Sequence, residues 1–451
     1  MTAEQDLYPI WHPYTQMQTE AAPLKVVRAR GVKIELADGR ELIDCISSWW
    51  VNVHGHCRPE IARAIYEQAL NLEHVIFAGF THEPAENLAR RLLELLGGDF
   101  TRVFYSDNGS TAVEVALKMA LQYWHNLGRL SRMAFIGFEG GYHGDTVGAM
   151  SLGGSSPFWG SYRSVLFDVD TVPYPWTFEG DERVEQKEEY ALSCLREKLE
   201  QQAEKFAGLI IEPLVQGAGG MRMVRPRFLQ SVQDLCRQYG VLLIYDEVMT
   251  GFGRTGDWFA LAKSDTAPDI ICLSKGIAGG FLPLAVTACN ERIYKGFLSE
   301  DPAHTLFHGH SFTANPISCA AAVASLQLLA ENEDSFRQME ERHRRWFNHW
   351  LINAAGLENV RFCGTIAAFD VVSDAATNYF NSLGKVLRRR FLASGLLIRP
   401  LGNTIYLMPP YCITDEELSQ VYKGIKEVLA ETIGAQSLKA RVPLLISAPD
   451  A

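Results

Sequence analysis

The run VLLIYDEVMTGFGRTG (241–256), followed closely by DIICLSKG (269–276), decides the fold. Each stretch opens on a short apolar run and ends on charge: Asp246 and Glu247 in the first, Lys275 in the second. A short continuous apolar run reads as a strand buried on both faces, the kind that a parallel sheet covered by helices contains. Working outward, RVFYS (102–106), MAFIGF (133–138) and GLIIEPL (208–214) have the same character, with helix-like segments between them. Strands alternating with helices from about 60 to 300 predict an α/β fold, a large domain on a mostly parallel sheet. The pattern changes toward both ends. KVVRA, VKIEL and ELIDC read as short strands in an aromatic N-terminal segment, with Asp38-Gly39 as a hairpin turn. Asn315-Pro316 opens an Ala-rich helix, and a long amphipathic helix is expected near 333–353. Beyond it, strands (GTIAAFDVV, LLIRP, TIYLMP) mix with helices near 376–394 and 415–433. The expected organisation is a segment 1–60 contributing to a small domain, a large domain 61–312, and a C-terminal small α/β domain 313–451.

Composition narrows the function classes. The chain has 451 residues, 47% of them hydrophobic and 21% charged, enough for a large core and unlike a disordered or fibrous protein. Its 42 Lys and Arg against 53 Asp and Glu leave a net charge of −11, which argues against nucleic-acid or anionic-membrane partners. The densest basic run, Arg388 to Arg390, fits a solvated helix face. Nine cysteines without a C-x-x-C pair read as reduced core thiols. The N-terminal MTAEQDLYPIWHPY has no apolar core of a leader peptide, and no apolar run reaches membrane-spanning length, so a cytoplasmic protein is expected.

In open parallel sheets, ligands bind beyond the carboxyl ends of the strands. RVFYS is followed by Asp107-Asn108-Gly109-Ser110-Thr111 and a clear helix. Small residues at a helix start leave backbone N–H groups for a phosphate, although an ordinary cap, with Thr111 and Glu114 as a capping box, explains them too. MAFIGF is followed by two glycines and Tyr142, a loop that brings a ring close to a flat ligand or is simply a turn. Asp246 at a buried strand end is costly unless paired. Lys275 faces the same crevice, where desolvation makes an amine a better nucleophile. Phosphate cradle, aromatic, acid and amine together form the set that pyridoxal phosphate needs: a lysine for the Schiff base and an acid at the ring nitrogen.

At these residues the sequence resembles the class III, or ω-type, aminotransferases of the fold-type I pyridoxal-phosphate enzymes, over nearly the whole chain. The motifs are THEPA (81–85), VEVALKMALQYW (113–124), GYHGDTVGAMS (141–151), IIEPLVQGAGGMRM (210–223), DEVMTGFGRTG (246–256), GNTIYLMPPY (402–411) and Ile398-Arg399-Pro400. WHPYTQM (11–17) and SSWWVNVHGH (47–56), with its doubled tryptophan, are not general features of such enzymes and resemble one biotin-pathway branch. The resemblance implies pyridoxal 5'-phosphate as cofactor, with Lys275, Asp246 and Tyr142 as catalytic residues. It implies Gly109 and Ser110 as the phosphate-binding pair. It also implies a homodimer with shared active sites, in which a G-P-T-F-type run reaches the phosphate of the neighbouring subunit. Here that stretch is Gly309-His310-Ser311-Phe312, where Ser311 keeps a hydroxyl and His310 departs from the pattern. Tyr14, Trp49, Tyr142, Lys275, Gly309 and Arg399 match substrate-lining positions, with Arg399 on a carboxylate.

The branch implies transfer of the amino group of S-adenosylmethionine to 8-amino-7-oxononanoate, giving 7,8-diaminononanoate. A guanidinium suits the acceptor's terminal carboxylate and tryptophan its aliphatic chain. Other readings are lysine as donor to the same acceptor, an ω-amino acid or polyamine transaminase using pyruvate, or an aminomutase. Gly251 to Gly256 fits G-x-G-x-x-G, but no βαβ crossover or second acid follows it, which argues against a dinucleotide enzyme. His54, His56 and Cys57, and His308 with His310, lack a full ligand set, so no metal is expected. Arg254 is expected to support the site rather than touch substrate.

Overall fold

A computed structural model describes residues 8–153, 159–373 and 381–439. Its centre is a seven-stranded sheet, in the spatial order Phe100–Ser106, Ala285–Asn290, Ile270–Leu273, Leu242–Asp246, Phe206–Ile211, Ala134–Phe138, Asp170–Val172. All neighbours pair in parallel except around Ala285–Asn290, which runs antiparallel to both its neighbours. The five strands expected from their apolar runs are present. Phe206–Ile211, Leu242–Asp246 and Ile270–Leu273 are buried throughout, so every side chain, whichever face it points to, meets a covering helix.

The helix Gly109–Asn126 crosses one face of this sheet. Its start differs from the expected capping box of Thr111 and Glu114. Asn108 is the N-cap: its side chain accepts the Thr111 N–H at 3.1 Å, and Thr111 Oγ1 accepts the Asn108 N–H at 3.1 Å. Glu114 turns away to the neighbouring loop, accepting from Thr146 Oγ1 at 2.6 Å and the Ala149 N–H at 3.0 Å.

A smaller body is built from both ends of the chain. Lys33–Leu36 and Glu41–Asp44 form the hairpin expected at Asp38-Gly39, and Glu41–Asp44 pairs in parallel with Leu396–Leu397. Leu357–Cys363, Ile366–Val371 and Thr404–Leu407 form a second, antiparallel sheet. Val32, Ile43 and Cys45 share one core with Met339, Phe369, Leu387 and Ile425. Two expectations need correction. The long helix near 333–353 is two pieces, Asp334–Arg337 and Met339–Trp350, broken at Gln338. The helix Pro316–Glu331 packs on Pro59–Asn71 and Glu83–Leu96 and buries Cys319, Ala322 and Leu326 in the large core, so a boundary at 313 comes too early for the packing. Of the helix expected near 376–394, Ser382–Ala393 is seen, and 374–380 lie outside the described residues. Among the described residues no helix is long and apolar enough to cross a membrane.

Candidate active site

The parallel strands end on one side of the sheet, around a cavity of about 440 Å³ lined by Gly109, Ser110, Tyr142, His143, Glu212, Asp246 and Lys275. Lys275 follows directly on Ile270–Leu273 and Ser274, with φ +44, a backbone conformation that costs a non-glycine residue energy and recurs at functional sites. Its Nζ lies 5.0 Å from the centre of the Trp50 ring. Burial lowers its pKa below the ordinary lysine value, while the Asp246 and Glu212 carboxylates act the other way. An amine so placed gives up its proton more readily than one in water, as a nucleophile must.

Asp246 closes its strand on the floor of the cavity. Its Oδ2 lies 2.7 Å from His143 Nδ1, and its Oδ1 accepts the Val248 N–H at 3.1 Å. His143 is almost wholly buried. Burial opposes its charge, but the hydrogen bond to Asp246 and the charges of Asp246 and Glu212 win, and its pKa is raised. Glu212 is buried at the next strand end, where Oε2 accepts the Tyr142 N–H at 3.0 Å and Oε1 the Gly217 N–H at 2.9 Å. Burial pushes its carboxyl up to about 7 against the pull of His143 and these two donors. Glu212 thereby ties the Tyr142 loop to the loop that follows its own strand.

The phosphate end fits as well. The first N–H groups of an α-helix have no intrahelical acceptor. Asn108 takes that of Thr111, leaving those of Gly109 and Ser110 at the cavity wall. Ser110 Oγ accepts the Asp145 N–H at 3.1 Å, so its own proton remains for a ligand. The approach is close enough to demand glycine: a Cβ at Gly109 meets Val248 Cγ1 at 2.5 Å, and one at Gly144 meets Ser110 Oγ at 2.1 Å. Two backbone donors and a hydroxyl at one end, an acid on the floor and an amine between them suit pyridoxal phosphate.

The expected substrate wall is assembled from distant parts of the chain. Tyr14 Oη donates to Asp145 Oδ2 at 2.6 Å and lies 3.3 Å from Tyr142 Oη. The Tyr14 and Trp49 rings meet edge to face at 5.7 Å, and the Arg399 guanidinium lies 5.2 Å from the Trp49 ring centre. Trp49 is exposed, whereas Trp50 is core, its Nε1 donating to Tyr406 Oη at 2.9 Å. Arg254 is buried and donates to the Trp50 and Pro409 carbonyls, so it props the tryptophan turn. Gly309, His310 and Ser311 do not line this cavity of their own chain.

The glycine run 251–256 is a packing device. A Cβ at Gly253 meets the Phe336 ring at 2.7 Å. His54 and His56 bond Ser325 Oγ at 3.0 Å and Asp44 Oδ2 at 2.9 Å. Sequence reasoning assigned no role to Glu212, His143 or Trp50. The acid that ends GLIIE, like Asp246 at its own strand end, was the available signal.

The chain belongs to the class-III aminotransferases, whose family model matches residues 14–429. It is 54% identical over 422 residues to the adenosylmethionine-8-amino-7-oxononanoate aminotransferase of Synechococcus elongatus, covering 94% of this chain and 98% of that one. The enzyme of the same name from Geobacter sulfurreducens is 40% identical, covering 94% and 96%. Among solved structures, the adenosylmethionine-8-amino-7-oxononanoate aminotransferase of Methanocaldococcus jannaschii superposes with a TM-score of 0.87 at 34% identity, covering 95% of this chain and 98% of that one. A PLP-bound amine transaminase from an uncultivated Pseudomonas species gives 0.88 at 30% identity, covering 94% and 99%.

Proposed function

We propose that this aminotransferase moves the amino group of S-adenosylmethionine to 8-amino-7-oxononanoate, giving 7,8-diaminononanoate for biotin synthesis. The observation that carries the reading is the continuous wall from Tyr142 through Tyr14 and Trp49 to Arg399, which leads from the Lys275 amine to a guanidinium. A ketone at the amine end and a carboxylate at the far end of an aliphatic chain match its two termini.

When bound, pyridoxal phosphate supplies an aldehyde that captures amino groups and a ring that draws electrons from the carbon bearing them. Gly109 and Ser110 hold the phosphate. Asp246, steadied by His143, holds a proton on the ring nitrogen. Lys275 would hold the cofactor's aldehyde through its Nζ and, as a free amine, would serve as the base that takes the proton from the amine-bearing carbon. Tyr142, Tyr14 and Trp49 exclude water and pack the donor's adenine or sulfonium in one half-reaction and the acceptor's chain in the other. Arg399 pairs with the acceptor's carboxylate.

We also infer a cytoplasmic homodimer in which Gly309, His310 and Ser311 of one subunit reach the cofactor phosphate of the other. In support, this loop stands outside its own cavity, the flanking Phe307 and Phe312 are exposed, and the Phe312 ring lies 5.6 Å from that of His74.

Purified protein should be yellow, and Lys275→Ala should lose the borohydride-reducible chromophore. A colourless protein that binds a nicotinamide dinucleotide overturns the reading. With a donor panel that includes lysine, S-adenosylmethionine should support diaminononanoate formation. Arg399→Ala should lower acceptor kcat/KM by about 10- to 100-fold, the range for a lost charged hydrogen bond, and donor kcat/KM far less. Equal losses contradict the carboxylate role.

A further inference from the structure

The helix Gly109–Asn126 holds more than the cradle at its start. Lys118, Gln122 and Asn126, one turn apart along a single face, all donate to the strap that leads to Gly309. Lys118 Nζ bonds the Phe307 carbonyl and lies 3.3 Å from His308 Nδ1. Gln122 Nε2 donates to the Thr305 carbonyl at 2.7 Å. Asn126 Nδ2 donates to the carbonyls of His304 at 3.2 Å and Gly296 at 3.1 Å. The His308 ring tilts against Phe104, 5.9 Å away on the first strand of the large sheet. Beyond the strap the chain closes into a tight turn. The His310 N–H donates to Thr313 Oγ1 at 3.0 Å, and the Phe312 N–H donates to His310 Nδ1 at 3.2 Å. The turn that carries Ser311 is thus closed by its own hydrogen bonds and is hung from the helix by a ladder of side chains.

Side chains spaced i, i+4, i+8 lie along one face of a helix, so the three rungs share one line. Each rung ends on a backbone carbonyl, so together they fix the path of the strap rather than the identity of its side chains. The Phe307 and Phe312 side chains stay exposed on either side of the turn.

We infer that Lys118 and Gln122 are positioning residues for the cofactor site of the neighbouring subunit, acting through Ser311. The inference rests on the shared-site dimer proposed above and adds to it. The helix that binds one subunit's phosphate with its first turn aims the loop that binds the other's with its side, which links the two cofactor sites mechanically.

The test uses mixed dimers, reading the cofactor affinity of the one site able to form a borohydride-fixable bond. In the first dimer, one subunit carries Lys275→Ala with Lys118→Met and Gln122→Leu, and the other is wild type. In the second, Lys275→Ala stands alone in one subunit, and Lys118→Met with Gln122→Leu are in the other. Affinity should fall by about tenfold, as for a lost hydrogen bond or two, in the first dimer only. Lys118→Arg in place of Lys118→Met, with Gln122 retained, should restore most of it. Loss in the second dimer alone, equal loss in both, or no loss in either overturns the inference while leaving the dimer intact. A monomer by light scattering, with full cofactor affinity, overturns the shared-site reading and this inference with it.

Discussion

Glu247 shows what a single buried carboxyl does to this molecule. It follows Asp246 just beyond the central strand and accepts from the N–H groups of Ala260 at 2.7 Å and Leu261 at 2.9 Å. Burial still pushes it up to about 7 from 4.5, as it does Glu212. A carboxyl whose folded pKa is raised binds its proton more tightly in the folded chain. Its contribution to stability therefore falls as pH rises from about 4.5 to about 7 and then levels off. His143, with its raised pKa, adds stability that is complete below 6.5 and lost as pH rises through its folded value, which is the same direction. Asp170, Asp181 and Asp415 are held low by lysine or arginine partners and so act below 3.8, outside this window. Buried His54 and His343, pushed down to about 3 and about 4, act the opposite way below 6.5, because only the unfolded chain protonates them there. Glu247→Gln should therefore turn the slope of the urea midpoint between about pH 5 and 7 toward a rise with pH, while lowering the midpoint overall. An unchanged slope in that variant rules Glu247 out as a source. At this scale the sequence was most readable where a residue type is expensive in its place. Asp246 and Lys275 stand at the ends of buried strands, and their cost is visible in the run itself. The partnership of His143 with Asp246 was not, because it joins loops that only the sheet brings together.

The loop that follows Ala134–Phe138 must pass within contact distance of the helix Gly109–Asn126. Gly144, at φ +134, makes that passage possible. Gly144→Ala adds a methyl against Ser110 in a backbone conformation that L side chains rarely adopt. It should cost about 1–3 kcal/mol of stability by overpacking and should weaken cofactor binding, read by absorbance titration. Wild-type cofactor affinity in a folded Gly144→Ala protein would show that the cradle tolerates a wider gap. Elements were legible where burial on both faces left an unbroken apolar run. Ala285–Asn290 was missed because its small side chains, AVTACN, give a weak apolar signal, and nothing in a sequence states strand direction. The helix start was misread by three residues because Asn108, Ser110 and Thr111 are all good caps, and only the backbone turn at Asn108 selects among them.

The two bodies of the molecule are joined by a buried cation. Arg361, on a strand of the smaller body, pairs with Asp370 at 3.0 Å and donates to the carbonyls of Met221 at 2.8 Å and Gly220 at 2.6 Å in the loop that follows Glu212. Arg361→Met leaves Asp370 buried without its cation and frees that loop. It should destabilise the protein by about 3–5 kcal/mol in chemical denaturation and lower kcat. A loss under about 1 kcal/mol would mean that the loop holds its place unaided. The change of pattern near both ends set apart the segments whose side chains share the second core. The place of Pro316–Glu331 was not legible, because an Ala-rich helix apolar on nearly every side fits either core equally well.

The parallel pairing of Ile43 with Leu396 has a consequence for how the polypeptide is made. Synthesis delivers Glu41–Asp44 early, yet the strand beside it is translated only after the whole central sheet. Between those two moments Leu42 and Ile43 have no permanent neighbour on that edge. A nascent chain of this enzyme therefore carries an open, apolar strand edge while its large sheet is already able to form, and closing that edge is among the last acts of its folding.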